Sequence, residues 1–340
     1  MNICCVIVTY KDRFELLKQV IESLRNLNIN KIIVVSNNSS ETSLNKLKEL
    51  TQELKDKIKV IYLPENIGSA GGYLRGLQEF YNDKNNDFVW LLDDDNVPEE
   101  NALKVIIEFW EALEIIDKEM NIALLSYRND REIYNEAVLK KQPDLVVGQK
   151  NGFLGFDIKT LFTRIIINIL HLRKKNNHIS NDFEFGEVSA AYYGGFFFHK
   201  KLIDKIGYPN ADFFTYADDT EYSSRIKKNG GKILVLLKSK INDIDNKWAK
   251  ARNTFFIKLP LVNETNKFRL YYQVRNRIFF EKENWTTNNF MYQINKNIYL
   301  FLFRIMVLIN KKIVNKDIIE IAIYDGLKGN LGKKENLFPD

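Results

Sequence analysis

FVWLLDDDNVPEE, residues 88–100, sets five apolar residues in a row before three aspartates, an asparagine and, two residues on, a proline. An unbroken apolar run of that length reads as a strand buried on both faces. Like charges a few Å apart repel strongly away from bulk water, so a triplet at the strand's end is costly unless something positive sits there. A hard divalent cation with oxygen ligands, Mg²⁺ or Mn²⁺, suits carboxylates. Side chains alternate along an extended chain, so Asp93 and Asp95 can reach one ion while Asp94 points elsewhere. The bland alternative is a solvated turn in which one aspartate caps a helix starting near Pro98.

Outward from this stretch, strands and helices alternate. ICCVIVTY (3–10), KIIVVS (31–36) and KIKVIYL (57–63) read as strands. Phe14, Leu16, Leu17, Val20, Ile21 and Leu24 recur at helical spacing after the first strand. NNSS is turn-like, ENIGSAGG is a glycine-bearing loop, and YLRGLQEFY is a helix. The alternation predicts an α/β protein with a mostly parallel, Rossmann-like sheet flanked by helices. Ligands of such sheets bind at the carboxyl ends of the strands, where the aspartates fall. Beyond IALLSY, residues 128–187 lose periodicity. The pattern sharpens again from 187 to 240, and 265–314 reads as helical, aromatic and basic.

With 340 residues, 45% hydrophobic, the chain can bury a substantial core. Its net charge of +6 arises from 50 basic and 44 acidic residues, a mixed surface and not a polybasic nucleic-acid binder. Cys4 and Cys5 adjoin inside an apolar run, a poor disulfide framework that suggests reducing surroundings. MNICCVIVTYK lacks the features of a signal peptide, and no run of about 18 apolar residues exists to span a bilayer. The expectation is a cytoplasmic protein.

The first strand–helix turn, VTYKDRFEL, has no glycine, which argues against NAD or FAD, and no G-x-x-x-x-G-K-[ST] loop is present. NIGSAGG (66–72) alone reads equally as a turn that lets a helix pack closely. A second acidic cluster, Asp218, Asp219 and Glu221 in FFTYADDTEYSSR (213–225), opens a basic helix. By itself it reads as dipole and capping chemistry. Two acidic clusters in one α/β domain are harder to dismiss.

Together, LPENIGSAGGYLRGL, FVWLLDDDNVPEENAL and GGFFFHKKLIDKIGYPNADFFTYADDTEYSSRIKKNGGKI keep the motif order of family 2 glycosyltransferases with the GT-A fold. The chain resembles them over roughly residues 1–285, and looks closest to galactofuranosyltransferase- and rhamnosyltransferase-like members. The resemblance implies inverting transfer of a sugar, galactofuranose favoured, from a nucleotide diphosphate donor, UDP favoured. Asp93 and Asp95 match the metal-binding aspartates, with Mn²⁺ or Mg²⁺ as the ion, and Asp219 matches the catalytic base. Asp218 and Glu221 would hold the acceptor or orient the base, and Gly194 and Gly195 match small residues on the acceptor side. Thr9, Tyr10, Asn37, Asn66, Gly68 and Asp94 fall on the nucleotide side. Arg275, in YYQVRNR, corresponds to a residue near the donor phosphates or the acceptor, with a plain basic helix face as the alternative.

Two positions depart from the pattern. Ser36 stands where an aspartate is usual, and no histidine lies beyond residue 199 to serve as the metal ligand many relatives use. Asp243 falls near that place and is the substitute ligand expected, unless it and Asp245 form a solvated turn.

The implied organisation is a catalytic domain over 1–255 (nucleotide half 1–100, acceptor half 101–255 with an insertion at 128–187) and a C-terminal helical region over 256–340. KTLFTRIIINILHLRKK (159–175) and INKNIYLFLFRIMVLINKKIVNK (294–316) suit helices lying on a membrane surface, on the inner face of the cell membrane, with a buried helix or one packed against a second copy as the alternative. The expected acceptor is a glycan or lipid-linked glycan in surface polysaccharide synthesis. The rivals are a sugar-phosphate nucleotidyltransferase, whose glycine-rich basic signature after the first strand is missing, and a non-catalytic nucleotide-sugar- or glycan-binding assembly subunit.

Overall fold

The computed structural model describes residues 1–169, 183–245, 266–309 and 315–338. Two compact units are drawn from the chain, one from Met1–Val147 with Asp182–Ala251 and one from Gly148–Asn181 with Arg252–Asp340. Residues 148–169, which the sequence analysis put in a catalytic-domain insertion, thus group with the C-terminal helices. The domain boundary expected at 255, and parts of both basic–apolar stretches, lie outside the described residues.

The first unit runs β1 (Ile3–Lys11), α1 (Phe14–Leu24), β2 (Lys31–Ser39), α2 (Glu41–Leu54), β3 (Ile58–Leu63), α3 (Gly68–Asn82), β4 (Phe88–Asp93), β5 (Asn96–Pro98) and α4 (Ala102–Ala112). It continues with the single turn α5 (Lys118–Asn121), β6 (Ile122–Arg128) and α6 (Glu132–Leu139). In the other unit, α7 (Ile158–Ile169) follows. The first unit resumes with β7 (Phe185–Val188), β8 (Phe196–His199), α8 (Lys201–Ile206), α9 (Asp218–Lys228) and β9 (Lys232–Asp243). Among the described residues these strands form one sheet in the order β3-β2-β1-β4-β8-β6-β9-β5, with β7 also paired to β9.

The half made by β3, β2, β1 and β4 is parallel, as expected. Past β4 the sheet is mixed: β8 lies antiparallel between β4 and β6, whereas β6 and β9 run parallel. Helices cover both faces, consistent with a GT-A fold. Along β1, Ile3, Cys5 and Ile7 enter the core with α1 and α4, while Cys4 and Val6 enter the opposite core with α3 and α8. Burial on both sides is why these strands read as continuous apolar runs. Both thiols are fully buried, and burial holds each far above the ordinary cysteine pKa. β2 continues through Asn37 and Asn38 to Ser39, where a turn was expected, because Asn38 takes a left-handed φ of 58° and lets Ser39 pair with Lys11.

The second unit comprises α7, α10 (Lys267–Phe280), α11 (Asn289–Ile309) and α12 (Lys316–Lys328). Its loop before α7 is held by polar side chains. Glu281 accepts from the backbone N–H groups of Leu154 (2.6 Å) and Gly155 (2.9 Å), and Asn295 donates to the Asn151 carbonyl (2.8 Å). Arg275 is fully buried between the rings of Tyr271 and Tyr272 and donates to the Gly332 carbonyl at 2.6 Å. No described helix is long and apolar enough to cross a membrane.

The glycines of α3 decide how the 66–72 loop meets the sheet. A Cβ at Gly72 would lie 2.6 Å from Val8 Cγ1, and one at Gly76 would lie 2.4 Å from Val6 Cγ1. The helix therefore presses backbone-first onto β1, carrying its N-terminus to the strands' carboxyl ends. Replacing Gly76 by Ala should cost about 1–3 kcal/mol, the usual range for overpacking, read as a lowered denaturant midpoint at unchanged m-value.

Candidate active site

The strand β4 ends at Asp93, and the chain turns immediately after it. The alternation expected of an extended chain therefore stops there, and Asp94 and Asp95 share one partner, Arg13. Its Nε donates to both oxygens of Asp94 at 2.9 Å, its Nη2 to Asp95 at 2.7 Å, and its Nη1 to Asp245 at 2.7 Å. Burial opposes the guanidinium charge, but these carboxylates hold its pKa above the ordinary value. Thr9, at the end of β1, donates to Asp94 at 2.7 Å, and Tyr10 lies beside Arg13, 5.5 Å from ring centroid to guanidinium.

Asp93 faces the other way. The Tyr73 hydroxyl lies 2.7 Å from its Oδ1, and Arg128 reaches its Oδ2 at 3.4 Å. Its side chain stays 38% exposed, the most open of the triplet. Arg128 is buried and also pairs with Asp130 (3.0 Å) and Asp243 (2.5 Å). A Cβ at Gly194 would sit 1.8 Å from Asn96 Oδ1 and 2.9 Å from Asp93 Oδ2, so only glycine lets this backbone lie against the acids.

The second acidic group arrives on α9. The segment before it carries left-handed φ values at three non-glycine residues, Phe214 (64°), Tyr216 (65°) and Ala217 (61°), a concentration of backbone strain typical of functional sites. It docks on the start of α3, where Gly68 has φ 76° and a Cβ would meet the Phe214 carbonyl oxygen at 1.9 Å. Ser69 donates to Asp218 at 2.9 Å. Burial and the Asp219 charge push Asp218 up to about 8. Asp219 takes the Thr220 N–H and hydroxyl on one oxygen (2.6 and 3.2 Å), and its other oxygen has no hydrogen-bond partner among the described residues. Burial raises its pKa, with the Thr220 bonds and Arg131 opposing and Asp93 contributing. Asp93 and Asp219 thus act on each other electrostatically. Tyr73, bonded to Asp93, packs on Tyr193, which feels the Asp219 charge, with their rings 3.9 Å apart at the centroids.

Several residues singled out in the sequence have other work. Both oxygens of Glu221 accept from Arg225 one turn on, at 2.8 and 2.6 Å, a bidentate helix ion pair. Asn37 holds the 66–68 loop, donating to Asn66 (3.1 Å) and the Gly68 carbonyl (2.9 Å) and accepting from Ile67 N–H (2.9 Å). Asp243, the substitute metal ligand expected, accepts from Arg128 on one oxygen and from the Asp245 N–H on the other. Gly195, φ 98°, fits between Ile241 and Ser126. Arg275 belongs to the helical unit, where its guanidinium is buried. Sequence reading missed Arg13, Arg128, Tyr73 and Ser69. Arg13 alone left a signal, a cation in the turn directly after β1.

Among the described residues, six carboxylates (Asp93, Asp94, Asp95, Asp130, Asp243, Asp245) share three guanidinium groups (Arg13, Arg128, Arg131), three more acids than cations. Burial, then Asp93, Asp94 and Asp243, push Asp95 up to about 8. Oxygen donors with surplus negative charge fit a hard divalent cation. No group of three ligating side chains forms a metal site among the described residues. Mg²⁺-type ions need only one or two carboxylates when substrate phosphates complete the shell.

The raised pKa of Asp218 fixes a sign. Between the ordinary carboxylate range and about 8 the folded state holds a proton that the unfolded chain has lost, so this group's penalty on stability grows as pH rises and is complete above about 8. Asp218→Asn should therefore stabilise the protein progressively from about pH 5 to about pH 9, read as a widening gap in melting temperature between variant and parent.

No curated protein matches the sequence. Among solved structures, the chain is similar to GalNAc-T7 with UDP, GalNAc and Mn²⁺, at 14% identity and a TM-score of 0.49 over 72% of this chain and 44% of that one. It is also similar to S. aureus TarS 1-349, at 16% identity and a TM-score of 0.45 over 84% and 74% of the two chains. The complex of that protein with UDP gives 16% and 0.44 over 71% and 60%. This chain thus spans less than half the length of the GalNAc-T7 chain. The profile of the family described as Glycosyl transferase family 2 matches residues 4–207, well over half of the sequence, and the chain belongs to that family.

Proposed function

We propose that this protein is an inverting glycosyltransferase that moves a sugar from a nucleotide diphosphate donor to an acceptor hydroxyl, with Asp219 as the base. The observation that supports the reading is the electrostatic coupling of two acidic groups, an accessible Asp93 and an Asp219 that keeps one oxygen free of hydrogen bonds among the described residues. Membership of family 2 supports the reaction class.

The acceptor oxygen attacks the anomeric carbon as that carbon's bond to the diphosphate oxygen breaks. The electron pair leaves with the nucleotide diphosphate, and the hydroxyl proton passes to Asp219. Thr220 holds one Asp219 oxygen and so aims the other, while a raised pKa makes the carboxylate a stronger base. Tyr73 orients Asp93, and Arg13 fixes Asp94 and Asp95. Asp93 and Asp95 would hold Mn²⁺ or Mg²⁺, which supplies Lewis-acid neutralisation of the diphosphate. Thr9, Tyr10, Asn66 and Gly68 border the nucleoside side, and Gly194 and Gly195 the acceptor side. The donor we favour is a UDP-sugar, galactofuranose first, with rhamnose or a pyranose as the other outcomes of a donor screen. The acceptor is a glycan, free or lipid-linked, in surface polysaccharide synthesis.

Asp219→Asn should lower kcat by about 10²–10⁴-fold with little change in donor KM, measured as product formed from a panel of nucleotide-sugars with Mn²⁺. Full activity in this variant would remove the proposed base. Asp93→Asn should raise the Mn²⁺ concentration giving half-maximal thermal stabilisation by about tenfold or more, and an unchanged titration would take Asp93 out of the metal site.

A further inference from the structure

The helix α11 carries two apolar faces, and among the described residues one of them is buried while the other is exposed. Tyr292, Asn295, Tyr299 and Phe303 are buried, at spacings that trace a single stripe. On the opposite side Phe290 is 72% exposed, Phe301 63% and Leu308 77%. Steps of 11 and 7 residues return to nearly the same angle on an α-helix, so these three form one ridge along most of a rod about 30 Å long. Ile305 and Ile309 widen it near the carboxyl end. A helix facing water puts polar residues there, and exposed apolar side chains gathered into one patch mark a contact surface.

Charge says what covers the ridge. Residues 284–316 contain no Asp or Glu, but carry Lys296, Arg304, Lys311, Lys312 and Lys316. Neither Lys296 nor Arg304 has an acidic partner among the described residues. A two-fold contact of this face with itself would bring the exposed Arg304, about 40° from the ridge, against its own copy with no carboxylate in 284–316 to answer it. A surface of anionic lipid headgroups over hydrocarbon answers both features: the ridge enters the acyl boundary and the long basic side chains reach up to phosphate.

We infer that the outer face of α11 docks this protein on an anionic membrane, lying in the interface without crossing it. The assignment is independent of the transfer chemistry, because lipid binding can be read with no donor or acceptor present. The test is flotation of the full chain with vesicles of equal parts phosphatidylcholine and phosphatidylglycerol, against phosphatidylcholine alone. The protein should float with the anionic vesicles and be released by salt. Phe301→Asp combined with Leu308→Asp should weaken partitioning by about a hundredfold, and Arg304→Gln by about fivefold, with melting temperature unchanged because these side chains are exposed. A chain that stays with the buffer in both vesicle types overturns the inference, as does a Phe301→Asp, Leu308→Asp variant that floats like the parent. A dimer in solution that this double variant converts to monomer, without vesicle binding in the parent, would assign the ridge to a second copy and also overturn it.

Discussion

Two forked cations organise the acidic ends of the strands. Arg13 gathers Asp94, Asp95 and Asp245, and Arg128 gathers Asp93, Asp130 and Asp243. Without them, the four least exposed carboxylates, Asp94, Asp95, Asp243 and Asp245, would be left without a cation, and removing the partner of a buried charge typically costs about 3–5 kcal/mol. Each guanidinium also ties distant parts of the chain together. Arg13 joins the end of β1 to the turn after β4 and to the residues after β9, and Arg128 joins the end of β6 to the ends of β4 and β9. The sheet's carboxyl edge is thereby fixed as a single electrostatic unit.

The arrangement leaves the acids unequal. Asp94 is closed in by Thr9 and Arg13, and Asp95 by Arg13 and Asn96. Asp93 remains open to solvent and is steered by a tyrosine whose own pKa is driven up by burial and by Asp93, which keeps the phenol a neutral donor. The strained backbone from 214 to 217 performs the matching task on the far side, turning the start of α9 so that Asp218 is tucked under Ser69 while Asp219 keeps an oxygen without a bond among the described residues. Environment, more than residue type, separates the carboxylates closed into ion pairs from the two left with an open oxygen or exposed surface.

How much of this was legible depended on the range of the interactions. Strands β1, β2 and β4 announce themselves because burial on both faces leaves an unbroken apolar run, and the position of the aspartates at a strand end follows from the same pattern. The antiparallel insertion of β8 between β4 and β6 has no local signature, since FFFH would suit a strand of either direction. The partners of Arg13 lie 81 and 232 residues away, beyond any periodicity argument. The role of Glu221 was within reach, because Arg225 stands one helical turn later, the spacing of a surface pair. Asn37 marks a subtler boundary: the resemblance assigns it to the nucleotide side, and its amide is occupied in shaping the 66–68 loop.

The adjacent thiols of Cys4 and Cys5, sealed on opposite sides of the central strand, have a practical corollary. Buried and kept protonated, they are poor nucleophiles toward alkylating reagents while the sheet stays intact. The protein therefore offers a silent background for spin or fluorescent labels at introduced surface cysteines, and its own two sulfurs serve as an internal gauge of whether the central strand has come apart.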